Sequence, residues 1–544
     1  MHRDSLPVRR RYSGLAGSSD SLALARLGAG TRPLAVVCAS ALDAARLLEE
    51  LAWLAPGLRA CLLPDWETLP YDSFSPHHDL VSERLATLYR IQRGEFDVVL
   101  VPATTALGRL CPPAYLAAYT FFLAQGERLD AEALRRQLAL GGYTAVTQVM
   151  SPGEFCFRGG IVDLYPMGSA VPYRLDLDDD LIESIRSFDV DSQRTLYAVK
   201  QVRLLPAREF SLDEAGRAKF RGRWRELFEG DPSKRRLYKD VSNGVPAPGI
   251  EYYLPLFFDQ LATLFDYLPE DATVALHRDV SGAAQAFWRD ARSRHQMLGG
   301  DPDRPLLPPA SLFVAADEFY TRVKAFQRVD LLEALEDDPD QPFVPAALPP
   351  LAVDRRAQDP LAALKGYLAA SGLRVLVCAD SPGRRETITA YLGEYGLHPV
   401  PCGSFEGFLE QKPQFAITVS PLASGFALAA EGWAAVTEAE LYAGTARRRG
   451  RGTEKRSSVE GMLRDLSELR VGDPVVHSQH GIGRYGGLVG LDLGAGRAGE
   501  TSEFLLLEYE GGDKLYVPVA QLEVISRYSG AQPEEAPLHK LGSG

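Results

Sequence analysis

The spacing of apolar and polar residues changes texture several times along this chain. From residue 34 onward, short runs rich in Val and Leu (Leu34–Cys38, Ala60–Leu63, Phe96–Val101) alternate with segments of helical period (Leu42–Leu54, Leu80–Ile91). Strand-length apolar runs separated by amphipathic helices predict a parallel sheet with helical crossovers. A Pro-rich, aromatic loop at residues 63–79 interrupts it. Between residues 127 and 210 the period falls to two. Phe155 and Phe157 alternate with Cys156 and Arg158, and Val171, Tyr173, Leu175 and Leu177 with Pro172, Arg174 and Asp176. That pattern predicts half-buried strands with one polar face, and it puts Arg158 and Arg174 outward if the aromatic side chains go inward.

Helix and strand resume after Phe210. The aromatic residues of segment 249–268 (Tyr252, Tyr253, Phe257, Phe258, Phe265) are near helical spacing and are expected in a core. His295, in the helical segment 288–300, is expected on a solvated face. Residues 335–360 are acidic and then Pro-rich, which predicts a linker. A compact α/β segment follows, with strands at Arg374–Cys378, Phe415–Ser420 and Trp433–Val436 and a helix at Arg384–Tyr395. Residues 445–456 (TARRRGRGTEKR) form a basic run broken by Gly, either a solvated tether or a contact to DNA phosphate. Between Val471 and Tyr528, five short β-type runs alternate with Gly turns: Pro474–His477, Ile482–Gly490, Glu503–Glu510, Lys514–Val517 and Glu523–Ile525. Glu510-Gly511-Gly512-Asp513 has the composition of a tight hairpin loop. The runs predict a small, bent SH3- or Tudor-like barrel whose open strand edge, near Leu488–Leu493, can accept a strand from another protein.

Length and charge narrow the possibilities. A chain of 544 residues is too long for one core, so three to five domains are expected. No apolar run approaches the eighteen residues of a membrane span, and no apolar stretch follows the basic N-terminus as a secretory signal requires. The six cysteines are scattered without a C-x-x-C, which predicts reduced thiols and a cytoplasmic protein. No metal is expected: His477 and His480 lack Cys or carboxylate partners at ligand spacing. A net charge of −13 excludes coating of nucleic acid by bulk electrostatics, so any DNA contact must come from a local basic patch.

Several motifs resemble known families. Gly472-Asp473-x-Val475-Val476-His477, His480-Gly481-Ile482-Gly483, Glu503–Leu507 and Lys514–Val519 resemble the RNA-polymerase-interacting module shared by CarD-type regulators and the bacterial transcription-repair coupling factors (Mfd). The continuation Ile525–Tyr528 and Ala536–Leu541 resembles the coupling factors in particular. This resemblance implies a partner, the β subunit of RNA polymerase. Leu491 and Tyr516 match positions through which such modules touch it.

The head of the chain, with Gly14-Leu15-Ala16-Gly17-Ser18, resembles the first motor-like domain of the excision-repair protein UvrB. A working phosphate loop needs G-x-x-x-x-G-K-S/T, whose Lys reaches the β- and γ-phosphates. Here Gly14, Gly17 and Ser21 fit, but Asp20 stands where the Lys belongs. Segment 264–280 resembles the stretch running into the Walker B strand, yet its apolar run ends in His277-Arg278 instead of Asp-Glu. The resemblance therefore implies a degenerate nucleotide site (Gly14, Gly17, Asp20, Ser21, His277, Arg278) with no catalytic residue. Residues 127–210 resemble the domain by which UvrB and the coupling factors bind UvrA, and Arg158 and Arg174 match arginines used in that contact. Asp178 departs from the pattern, standing where some members carry an aromatic. Pairing of both arginines with Asp176, Asp178–Asp180 and Glu183 is the alternative.

The implied architecture is multidomain α/β and β. A degenerate RecA/helicase-like parallel-sheet module occupies 1–126 and 211–334, interrupted by an α+β UvrA-binding insert at 127–210. A linker (335–360), a small α/β domain (361–444), a basic linker (445–467), the barrel (468–530) and the start of a connector (531–544) follow. The expected function is the adaptor half of a transcription-coupled repair factor. ATP and Mg²⁺ would belong to a translocase further along the parent, and no cofactor is expected in this chain. A UvrB-like damaged-DNA-binding enzyme with residual nucleotide hydrolysis and a CarD-like transcription regulator are the alternatives.

Overall fold

The structure is a computed structural model and describes residues 9–30, 32–335, 343–442, 472–477, 481–491, 502–518, 525–527 and 538. It divides into two compact units, residues 1–441 and 442–544.

The first unit is built on a six-stranded parallel sheet. Its strands run in the order Arg9–Tyr12, Gln327–Leu331, Thr273–His277, Leu34–Cys38, Val98–Pro102, Ala60–Leu62. The strand Leu34–Cys38 is buried on both faces, as its unbroken apolar run requires. Ala35 and Val37 join one core with the helix His78–Arg93 and with Phe155, Val162 and Leu175 of the insert. Val36 and Cys38 join another, with the helices Ser19–Gly28 and Ala41–Leu54 and with Leu376, Phe405, Phe408 and Trp433 far along the chain.

The insert forms a second six-stranded sheet, ordered Thr195–Val199, Leu181–Phe188, Tyr173–Asp178, Ile161–Leu164, Glu154–Arg158, Thr144–Ala145. Its strands are antiparallel except for the last pairing. Residues 210–313 supply a helical body around an aromatic core that includes Phe220, Trp224, Tyr252, Tyr253 and Phe257. The expected core role of these aromatics is met by the 3-10 helix Ile250–Leu256 instead of a regular α-helix, because Pro255 lacks the N–H an α-helix interior needs. His295 does not sit on a solvated face. It is half-buried against the Tyr71 ring, with centroids 5.4 Å apart.

The small α/β segment forms a sheet ordered Val400–Pro401, Phe415–Val419, Arg374–Ala379, Trp433–Thr437, Phe426–Leu428, parallel except for the last strand. The described part of the expected 335–360 linker is not free chain. Phe343 and Leu351 are buried, and Ala346 pairs with Ala427. A Pro-rich segment cannot join a ladder throughout, but its side chains can still pack.

The second unit shows a five-stranded antiparallel sheet ordered Lys514–Pro518, Ser502–Glu508, Gly481–Leu491, Pro474–His477, Ile525–Arg527. Val475, Tyr485, Leu505, Leu507, Tyr509 and Val517 form its core. The expected tight turn at Glu510–Asp513 is present: Gly511 and Gly512 take left-handed φ of 90° and 85°, which only Gly adopts readily. The basic run 445–456 and His480 lie outside the described residues. Among the described residues no helix is long and apolar enough to cross a membrane, and all six cysteines are buried and unpaired.

Gly17 is where the small α/β segment meets the first sheet's loops. Its φ is +54°, and a Cβ there would lie 2.2 Å from the Gly425 carbonyl oxygen. Gly17→Ala should therefore destabilise the first unit by about 1–3 kcal/mol. Gly372→Ala, at φ +65° with open space around it, should cost about 1 kcal/mol or less. Paired thermal melts check this, and equal losses would mean that the close approach to Gly425 contributes nothing.

Candidate functional site

In an open parallel sheet, ligands bind outside the carboxyl ends of the strands. At that edge of the first sheet stand His277, ending its strand, and the loop that opens the helix Ser19–Gly28. Gly14 and Gly17 take φ of +66° and +54° there, so the loop has the left-handed turns that a phosphate cradle uses. The backbone donors of such a cradle must be free. Here Ser18 N donates to the Ser424 carbonyl at 3.0 Å, Ser19 N to the Ala16 carbonyl at 3.1 Å, and Ser21 N to Asp20 Oδ1 at 2.8 Å.

The side chains complete the filling. Asp20, 3% exposed, accepts from both terminal nitrogens of Arg46, at 3.0 and 2.6 Å, and from His277 Nε2 at 2.8 Å. Burial works to raise the Asp20 carboxyl, but the His277 and Arg46 hydrogen bonds and the Arg46 charge outweigh it and hold the group far below the usual carboxylate range. Arg46 also reaches Glu50 at 2.8 Å. Glu50 accepts from Ser18 Oγ at 2.8 Å and from Ser21 Oγ, and burial pushes its carboxyl up. Arg278 turns outward to Asp43 at 2.8 Å. Arg46 and Glu50, on the helix Ala41–Leu54, were not singled out by sequence reasoning. Their i, i+4 spacing looks like any surface pair until the fold buries it.

The small α/β segment closes the corner. Ala423 N donates to Ser18 Oγ and to Glu50 Oε1 at 3.1 and 2.9 Å, and Ser424 N to Ser18 Oγ at 3.2 Å. Of the expected nucleotide site, Asp20, Ser21 and His277 thus come together behind the Gly17 turn, but in an internal ion network, while Gly14 N donates to the Ala334 carbonyl at 3.0 Å. Among the described residues no group of His, Cys, Asp or Glu could hold a metal ion.

The second candidate lies on the insert sheet. Arg174 is half-buried, not outward, and binds Asp163 with two hydrogen bonds, Nε to Oδ1 at 2.6 Å and Nη2 to Oδ2 at 2.9 Å. These bonds raise the already high Arg174 pKa. Its guanidinium also lies 4.8 Å from the centre of the Phe188 ring. Arg158, half-exposed, donates to the same Asp163. The alternative partners Asp176, Asp178–Asp180 and Glu183 give way to Asp163 because of register. Asp163 pairs directly with Arg174 across the strands, and Ile161, two residues before it, pairs with Arg158. Asp163 is fully buried and holds both arginines; Arg174 Nη1 also donates to the Gln193 carbonyl at 3.3 Å, while Arg158 keeps half of its side chain exposed. Strict alternation also fails at Cys156, which is buried against Val149 and Phe188 on the same face.

Arg186, which the sequence pattern did not flag, is the next residue across the ladder from Arg174. It is exposed and makes no ion pair among the described residues. Only the register sets it beside the other two.

On the second unit, Tyr516 is 41% exposed on an outer strand. Leu491 ends the strand Gly481–Leu491, opposite Ser502, and its side chain lies outside what is described. The expected open edge near Leu488–Leu493 overlaps this strand. It pairs with Pro474–His477 through Gly481–Arg484, and Tyr485 exchanges backbone hydrogen bonds with Gly472 and Asp473, so the residues after Tyr485 have a strand partner on one side among the described residues.

Comparison with known proteins places the chain among relatives. Residues 121–210 match the model of the UvrB interaction domain, residues 367–441 that of the MFD D3 domain, and residues 469–529 that of the CarD-like/TRCF RID domain. The chain is 41% identical over 96% of its length to a transcription-repair-coupling factor of Haemophilus influenzae. It is 38% identical over 99% to one of Escherichia coli, and 30% identical over 98% to one of Myxococcus xanthus. It covers 46%, 47% and 47% of those proteins, so it spans about half the length of these curated relatives.

The Asp20 network makes a pH prediction. A carboxyl depressed in the folded state contributes stability that is fully present above its unfolded value of about 3.9 and is lost as pH falls through the folded value. Asp20→Asn should cost about 3 kcal/mol at pH 7, and the gap to wild type should narrow by about 1 kcal/mol by pH 3. Urea denaturation across that range measures the gap. A gap independent of pH would mean that the Asp20 charge does not stabilise the corner.

Proposed function

From its place in the family of transcription-repair-coupling factors, to which this chain belongs over the stretch it spans, we propose that it is the adaptor portion of such a factor. It holds stalled RNA polymerase through the β subunit and recruits UvrA to start excision repair. The observation that carries this reading is the arginine row on the insert sheet, ordered by the buried Asp163 within the stretch that matches the UvrB interaction domain. Arginine presents a planar fork suited to carboxylates, and one already held at its inner face loses little freedom on binding. UvrA would dock on Arg158 and Arg174, with Arg186 as a third contact.

The parallel-sheet module at 1–126 and 211–334 is, in this reading, a degenerate RecA/helicase-like motor domain. Its phosphate-loop donors are already committed to the protein's own groups. That favours an adaptor over the UvrB-like enzyme with residual hydrolysis. ATP-driven displacement of polymerase would belong to the remainder of the full-length parent. The second unit would close into an SH3- or Tudor-like barrel and offer the edge beyond Tyr485 to a polymerase strand, with Tyr516 and Leu491 as side-chain contacts.

Two expectations test the two contacts separately. The double variant Arg158→Ala/Arg174→Ala, made with Asp163→Asn so that no buried carboxylate is left unpaired, should lose co-elution with UvrA while keeping its circular dichroism spectrum, since truncating one buried charge pair at an interface costs about 2–5 kcal/mol. Arg174→Lys should restore little of it, and Arg186→Ala should weaken it further in a single-Arg background. Undiminished co-elution of the double variant would contradict the assignment. For polymerase, Leu491→Arg in the full chain should weaken binding to the β subunit at least about a hundredfold, and Tyr516→Ala by less, with unchanged melting temperatures. Binding that survives both substitutions would move the contact elsewhere on the sheet.

A further inference from the structure

The chain is acidic overall, with 72 acidic against 59 basic residues, yet nine Lys or Arg and only three Asp or Glu lie between Arg217 and Lys239. They are carried by two packed helices, Glu214–Leu227 and Arg236–Ser242, and the 3-10 turn Pro232–Lys234 between them. Packing decides where the cations go. Phe220 and Trp224 on the first helix and Tyr238 on the second are buried against each other. Arg217, Arg221 and Arg225 therefore stand four residues apart along the flank that meets the second helix. Arg217 donates to the Ser242 carbonyl at 3.4 Å, and the Arg225 guanidinium lies 6.0 Å from the centre of the Tyr238 ring. The Arg236 side chain is 93% exposed, and Lys234 and Lys239 are exposed beside it.

The counter-charges are solvated: Glu226 and Glu229 are exposed among the cations, and Arg235 lies 3.5 Å from Asp303, itself 71% exposed. Glu214 serves both Arg217 and Arg221, and Asp259 serves both Lys219 and Arg223 on the opposite flank. Those two carboxylates are 69% and 76% exposed. Asp240 lies 3.7 Å from Arg236, and Asp231 lowers its own pKa through Ser233 and, more weakly, Lys234 and Lys239. Arg225, Lys234 and Lys239 make no ion pair among the described residues. Exposed pairs are worth at most about 1 kcal/mol, so they exchange readily for a stronger polyanion.

We infer that this two-helix surface binds the phosphodiester backbone of duplex DNA. Arg217 to Arg225 spans about 12 Å of helix, the axial rise of three to four phosphates on one strand. Cations carried on two packed elements, the first helix and the segment Lys234–Lys239, can contact a backbone at more points than a single cluster can. None of these contacts requires a base edge, so the binding is independent of sequence. It does not depend on the arginine row of the insert, and the two fail separately.

Fluorescence anisotropy of the full 544-residue chain with a labelled duplex of about 30 base pairs, at about 50 and 200 mM salt, tests the inference. The variant carries Arg221→Glu, Arg225→Glu, Arg236→Glu and Lys239→Glu. Its control carries Arg355→Glu and Arg356→Glu, two exposed cations far along the chain. The four-fold variant should lose at least tenfold in affinity and most of the salt dependence while keeping its melting temperature and its co-elution with UvrA. The control should bind as wild type does. Absence of wild-type binding at low salt, equal binding by the four-fold variant, or competition by polyglutamate as effective as by unlabelled duplex would each overturn the assignment. If the four-fold variant is destabilised, Lys234→Gln/Lys239→Gln replaces it, with an expected threefold loss.

Discussion

The backbone donors at the head of the helix Ser19–Gly28 decide what this molecule can be. A helix N-terminus behind a glycine turn attracts anions, because its N–H groups point outward unpaired and the helix dipole adds to their pull. In this chain the anion is supplied from within. Asp20 takes one donor, Ala16 and Ser424 take others, and Arg46 and His277 neutralise the carboxylate that results. The loop is satisfied only when residues 423 and 424 lie over it. The corner that a motor would use to sense nucleotide is therefore a joint between two α/β bodies. Glu50, whose carboxyl is raised by burial, is tolerated there because Arg46, Ser18, Ser21 and the Ala423 N–H all face it.

The insert sheet applies the same device for the opposite purpose. Asp163 is buried and accepts from two arginines, as Asp20 accepts from Arg46 and His277. At the corner, His277 is buried, Arg46 is mostly covered, and the network closes on itself. At the insert sheet, Arg174 is covered as deeply as Arg46, but Arg158 is half-exposed and Arg186 is exposed beside the pair, so those two charges face outward. A held, outward guanidinium is a surface for another protein's carboxylate, while a held, inward one is a structural tie.

Much of this was legible in the sequence where one physical rule acts locally. The runs of the first sheet, the period of two in the insert, and the turn at Glu510–Asp513 all follow from local patterning. Asp20 and His277-Arg278 could be recognised as wrong for phosphate chemistry, but not as each other's partners, since 257 residues separate Asp20 from His277. Arg46 and Glu50 stayed hidden because burial, not spacing, makes them part of the network. The partner of Arg158 and Arg174 was misjudged for a similar reason: Asp163 lies in an apolar-looking run, and only strand register brings it between them. The Pro-rich stretch after residue 342 was expected as free linker because composition reports a lack of ladder hydrogen bonds, and says nothing of whether side chains such as Phe343 and Leu351 pack.

The central claim is that the phosphate corner ties the fold together while binding takes place on the sheet faces. Hydrogen–deuterium exchange of the whole chain, alone, with Mg·ATP and with UvrA, tests it most directly. Exchange should be slow at residues 17–21 and 273–278 and unchanged by Mg·ATP, and new protection by UvrA should be confined to the strands carrying Arg158, Arg174 and Arg186. Protection of the corner by nucleotide, or UvrA protection that bypasses those strands, would contradict it.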